Sequence, residues 1–177
     1  SWGGMSEVAA TRALYAAALS ASPDVSYVML MSESCLPLHH FDAMYQALIA
    51  PPLAPVMAAV DGFSSASQSL TENPFEGMHT RRSIINACPQ TPVESKLVQW
   101  NTTLETKAGV TRALWRKSEQ WHALTRAHVE LILGEHAVFD AMSEVVGMKF
   151  GDEHYFATVL ALYGQGTPEH TTCAGGF

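Results

Sequence analysis

Positive charge is scarce in this chain. Of 177 residues, 10 are Lys or Arg against 17 Asp or Glu, which gives a net charge of −7. The only adjacent basic residues are the pairs Arg81-Arg82 and Arg116-Lys117. No basic run is present to neutralise phosphates, which argues against a nucleic-acid partner. No apolar run reaches the roughly 18 residues that a membrane span needs. The opening Ser1-Trp2-Gly3-Gly4 has neither the basic region nor the apolar stretch of a signal peptide. Both this start and the end at Gly175-Gly176-Phe177 read as cuts through a larger protein. Any anchor or targeting segment is then expected outside the chain.

Other patterns are missing as well. The three cysteines, Cys35, Cys88 and Cys173, are an odd number without Cys-x-x-Cys spacing, which argues against a structural zinc site. They fit either one disulfide with a free thiol or three reduced thiols. The eight histidines include no His-x-x-x-His pair, so the expectation is no metal site. There is no Asp-x-Asp triplet to hold a divalent ion on a pyrophosphate and no glycine-rich phosphate loop. The lack of a Gly-x-Ser-x-Gly elbow argues against that type of serine hydrolase.

What remains is a chain that is 47% hydrophobic and 15% charged, the composition of a globular protein with one well-buried core. Helical spacing predicts a helix over Ser6 to Ser20 with Ser6 as its cap, broken by Ser22-Pro23-Asp24. Val25 to Met31 reads as a buried strand, and Phe41 to Ile49 as a helix stopped by Pro51-Pro52. Val56 to Val60 is a candidate second buried strand. Periodicity fails from Asp61 to about Lys107, and a loop of that length in a compact domain is usually functional or disordered. Val110 to Trp115 reads as a strand. His122 to Leu133 and Ala137 to Val146 read as helices stopped by Gly134 and Gly147. Glu153 to Tyr163 reads as the last helix, with Asp152 as its cap. Strands alternating with helices give an α/β class. Ligands of open α/β sheets bind beyond the carboxyl ends of the strands, which marks Ser32 to Cys35 as a candidate site.

Asp152-Glu153-His154 is the densest titratable set in the chain. A carboxylate at a helix N-terminus is favoured in its ionised form and, when partly enclosed, can act as a general base. On spacing alone, an ordinary N-cap with an acidic first turn is the commoner arrangement. Ser34 and Cys35 with a distant histidine would be the parts of a nucleophilic hydrolase, although a buried inert Cys35 is the commoner arrangement. Trp115-Arg116-Lys117-Ser118-Glu119-Gln120-Trp121 sets two indoles around polar groups. That composition suits either a sugar site or a surface turn whose tryptophans pack inward.

Taken in order, these segments resemble the core-2/I-branching N-acetylglucosaminyltransferase family, including its plant and algal relatives. Trp2-Gly3-Gly4 with Val8, Ala9 and Ala10 is similar to the family's opening. Tyr27 to Leu38 is similar to its strand and Ser-Glu-Ser-Cys turn, with Phe41 as the aromatic that follows. Trp115 to Trp121 is similar to a Trp-Arg-Lys-Gly-Ser-Gln-Trp segment, departing at Ser118 and Glu119. Asp152-Glu153-His154-Tyr155 with Thr158 is the closest match.

The resemblance implies a GT-A-type α/β domain with a mixed sheet flanked by helices, incomplete at both ends, as a single partial catalytic domain over residues 1–177. It implies inverting, metal-independent transfer of a sugar, typically N-acetylglucosamine, from a UDP donor to a glycan or glycoprotein acceptor. No cofactor is implied beyond the UDP-sugar, which is a substrate. It also implies residence on the lumenal side of the Golgi membrane behind a type II anchor outside this chain. By carry-over Glu153 is the catalytic base, Asp152 sets the turn and cap, and Glu33 and Ser34 border the cleft. Lys117, Gln120 and Trp121 contact sugar. The alternative is a catalytically silent glycan-binding or structural relative, if Ser118 and Glu119 spoil the cleft.

Overall fold

The computed structural model describes residues 3–32, 34, 40–49, 83–85 and 102–166. The chain divides into two compact units, one made of Ser1–Met31 with Arg82–Phe177 and the other of Ser32–Arg81. In the first unit α1 (Met5–Ala21) leads to β1 (Tyr27–Met29). After Ile84 and its neighbours come α3 (Thr102–Ala108), a single 3-10 turn (Arg112–Leu114), β2 (Ala123–Thr125), α4 (Arg126–Gly134), α5 (Ala137–Glu144) and α6 (Gly151–Leu162). The second unit contributes α2 (Phe41–Ile49), where Phe41 stacks on Tyr45 one turn later.

The described protein is thus a mixed α/β structure in which helices dominate. β1 and β2 pair antiparallel, with Tyr27 opposite Thr125 and Met29 opposite Ala123. The pairing continues where Leu30 N–H donates to the His122 carbonyl at 2.9 Å, and Ile84 bridges the other edge of Ala123. All three residues of β2 are buried, whereas β1 is only partly covered and Met29 is 38% exposed. The buried strand expected at Val25 to Met31 is therefore short and half-covered, and β2 takes the interior place between two neighbours.

α6 lies in the middle of the core. Ten of its twelve residues are buried, including Tyr155, Phe156, Val159 and Leu160. A helix apolar all round needs neighbours on every side, and α1, α4, α5 and the 3-10 turn supply them. Val8 and Tyr15 of α1, Val129 and Ile132 of α4, and Val138 and Met142 of α5 complete the cluster. Leu104 of α3 joins it and is 1% exposed.

Several expectations are corrected. Val110 to Trp115 is not a strand: Val110 and Trp115 are buried while Thr111, Arg112 and Ala113 between them are exposed, and the chain makes a 3-10 turn there. His122 does not begin a helix, because Ala123 to Thr125 pair with β1. The helix starts only at Arg126, where the Thr125 hydroxyl accepts His128 N–H at 3.3 Å. The supposed loop from Asp61 to Lys107 ends in α3, whose one buried side chain leaves no apolar period to read. The first helix is capped by Gly4 rather than Ser6, and Glu7 reaches back to accept Gly3 N–H at 2.7 Å. The Val56 to Val60 strand, Cys35, Cys88 and Cys173 lie outside the described residues.

Arg12 ties the helices together. Its guanidinium donates to the carbonyls of Ile132, Leu133 and Glu135 at 2.9, 3.0 and 2.5 Å and to the Tyr155 hydroxyl. It thereby satisfies carbonyls left over at the end of α4 and lies over the rings of Phe139 and Tyr155.

Candidate functional site

The start of α6 is set by close backbone approach. Gly151 N–H donates to the Gly3 carbonyl at 2.8 Å, and Phe150 before it takes a left-handed conformation at φ 57°. The helix therefore begins two residues ahead of Glu153, with Phe150 at the cap position and no side-chain cap bond. This corrects the capping role expected of Asp152, which sits inside the first turn. Asp152 is 5% exposed, and its Oδ1 has no hydrogen-bond partner among the described residues. Burial pushes its carboxyl above the ordinary carboxylate range. The nearby charges of Glu7 and Glu153 add to this, and the amides of Asp152 and Glu153 oppose it.

Against this turn lies the segment Trp115 to Ser118. The Trp115 indole is fully buried and stacks on the His154 imidazole at 4.7 Å between centroids and 28° between planes. Arg116 is held at both ends of its backbone. Its N–H donates to Thr158 Oγ1 at 3.1 Å, and its carbonyl accepts His154 Nδ1 at 2.7 Å and Thr158 Oγ1 at 3.4 Å. Ser118 N–H donates to the Glu153 carbonyl at 2.7 Å, and its hydroxyl donates to the same oxygen at 3.3 Å. Lys117, fixed between these anchors, extends its ammonium to Glu153 Oε2 at 3.1 Å.

The structure thus brings Glu153, Lys117 and Asp152 to one place. The Glu153 side chain is 27% exposed, enough to meet a ligand without being freely solvated. Gln120 is half-buried further along the segment, and Trp121 is 44% exposed. Of the two tryptophans, only Trp115 packs inward. The family departure at Ser118 is a small buried side chain bonded to Glu153, and that at Glu119 is exposed. Neither breaks the contact between the segment and α6. Glu33 lies outside the described residues. Ser34 belongs to the second unit and is exposed, its hydroxyl 2.9 Å from that of Ser32. Ser34 is described within that unit alone.

Sequence reasoning missed His154 and Thr158 as anchors of the Trp115 segment. Their spacing of four residues, one above the other on a helix face, was the available signal. His154 is fully buried. Burial drives its imidazole toward the neutral form, with Lys117 adding to this and the Arg116 carbonyl opposing it. His122 and Tyr15 form a second buried pair, ring nitrogen to hydroxyl. There burial lowers the histidine to about 4 and raises the tyrosine.

A partly enclosed carboxylate, held by an ammonium on a rigid helix, is equipped to take a proton from a bound hydroxyl. The family model for the Core-2/I-Branching enzyme matches residues 1–172, and the chain belongs to that family of glycosyltransferases. Its substrates are accordingly a sugar donor and a glycan acceptor. Neither the curated proteins nor the solved structures contain a match.

Proposed function

We propose that this chain is catalytic material of an inverting transferase that moves N-acetylglucosamine from a UDP donor to a glycan hydroxyl, with Glu153 as general base. The observation that supports this reading is the pairing of the Glu153 carboxylate with Lys117 on the first turn of α6. An acceptor hydroxyl is a weak nucleophile at neutral pH and must lose its proton as the new bond forms. Inversion follows if the hydroxyl attacks the anomeric carbon directly from the face opposite the departing UDP. Lys117, Gln120 and Trp121 are assigned to sugar contact, and Glu33 and Ser34 to the cleft border, as the family resemblance suggests. A GT-A-type frame, metal independence and a Golgi-lumenal location behind a type II anchor belong to the same proposal.

The test is Glu153→Gln in the full-length enzyme, assayed with UDP-N-acetylglucosamine and a glycan acceptor. The amide keeps the shape but cannot accept the proton, so kcat should fall about 10²- to 10⁴-fold with donor binding and Tm retained. Transfer at the parent's rate would overturn the base assignment. Unfolding of the variant would mark Glu153 as a structural residue of the first turn of α6.

A further inference from the structure

We propose that His154 is a positioning residue for the Lys117–Glu153 pair, acting through the Arg116 peptide that it anchors to α6. The proposal rests on the reading of Glu153 as base. A backbone carbonyl can only accept, so the 2.7 Å contact with the Arg116 carbonyl fixes the proton of His154 on Nδ1. Nε2 is then left as an acceptor, buried and without a partner among the described residues. A residue chosen only to fill space would avoid that cost, since a buried unpaired polar atom destabilises and an apolar ring of similar size does not. What the imidazole does that such a ring cannot is hold the Arg116 carbonyl.

The consequence reaches Glu153 through two neighbouring peptides. Residue 116 is fixed by His154 and Thr158, and residue 118 by the Glu153 carbonyl. Lys117 lies between them and has no freedom to slide along α6. Its ammonium therefore meets Oε2 of Glu153 and orients that carboxylate. The pair is itself partly solvated, at 41% and 27% side-chain exposure, and pairs of that kind contribute little to stability. Its value lies in geometry, and a misplacement of about 1 Å can cost a site 10²-fold in rate. Stacking on Trp115 at 4.7 Å holds the imidazole plane that directs Nδ1.

The test is a double-mutant cycle in the full-length enzyme between His154→Phe and Lys117→Ala, with amide exchange as a second readout. Phenylalanine keeps a stacking ring and removes the donor. It should lower kcat about 10- to 100-fold with the donor KM unchanged, and have little further effect once Lys117 is alanine. His154→Asn, whose amide can donate from near the Nδ1 position, should recover much of the loss. The Arg116 and Ser118 amides should exchange faster in His154→Phe while Val159 and Leu160 keep their protection. Additive losses in the cycle, or unchanged exchange at residues 116 and 118, would overturn the proposal. Should His154→Phe fail to fold, Thr158→Val removes the other anchor of residue 116 and is read in the same way. Glu153→Gln is assayed alongside. If it transfers sugar at the parent's rate, the base reading fails and the exchange data alone decide the role of His154.

Discussion

The amide of Gly151 donates to the carbonyl of Gly3 at 2.8 Å, which joins the residues just before α1 to the first residue of α6. The two glycines meet different constraints. Gly3 has φ +76°, and a Cβ there would lie 3.2 Å from the Phe150 backbone nitrogen. At Gly151 the nearest atom to an added Cβ is the Met5 sulfur, the far end of a flexible side chain. Gly3→Ala is therefore expected to lose about 1–2 kcal/mol from left-handed strain alone. Gly151→Ala is expected to be near neutral, because Met5 can shift and alanine favours the helix. Urea unfolding of the two variants distinguishes these outcomes, and equal losses would contradict the packing described.

Arg12→Met is expected to destabilise by about 1–3 kcal/mol, since it takes the guanidinium donor from the Leu133 carbonyl and leaves those of Ile132 and Glu135 with only their longer bonds from Glu135 N–H and the Tyr155 hydroxyl. Arg12→Lys should recover only part of this, because one ammonium cannot reproduce the planar fork. Denaturant midpoints at constant slope provide the check.

Stability should fall with acid in a window set by His122. Its folded value is lowered from 6.5 to about 4 by burial, so below pH 6.5 the unfolded chain binds a proton that the native state refuses. Stability is complete above pH 6.5 and is lost as pH falls toward 4. The full shift is worth about 3 kcal/mol. His154, shifted in the same direction, adds to the slope. His122→Gln should flatten, without abolishing, the dependence of Tm on pH between 6.5 and 4. A parent Tm that is level over that range would contradict the buried neutral imidazole.

The proposal of metal independence predicts that transfer by the full-length enzyme survives EDTA. Loss of turnover on chelation, restored by manganese, would reveal a divalent ion in the reaction.

Some of this architecture was readable before any coordinates. α2 runs from Phe41 to Ile49 as its spacing implied, and α1 begins and ends within a residue of its pattern. Both carry their signal locally, in apolar spacing and breakers. β2 does not: Ala123 to Thr125 are extended because β1 lies opposite, about a hundred residues away in sequence. Thr125, whose hydroxyl accepts the His128 amide, is of the residue type that favours a helix start just after it. α3 buries a single leucine and so offers no period. At the site, a helix start close to Glu153 was legible from the Asp152-Glu153-His154 motif, and the Phe150 cap was not, because a left-handed phenylalanine depends on how Gly3 and Gly151 meet. The contact between Glu153 and Lys117, far apart in sequence, emerges only once the segment after Trp115 is laid along α6.

The burial of ten of the twelve residues of α6 gives the site a fixed point of reference. Glu153 projects from a helix whose other faces are gripped by α1, α4 and α5, so its backbone position is set by the core, while Lys117 meets its carboxylate from the segment alongside. Under the role proposed for Glu153, loops around such a point can be lengthened, shortened or recomposed to admit a different acceptor while the proton-accepting group stays where it is. In an enzyme of this construction, change of substrate and preservation of chemistry are separable, and an engineer seeking new acceptors would leave α6 untouched.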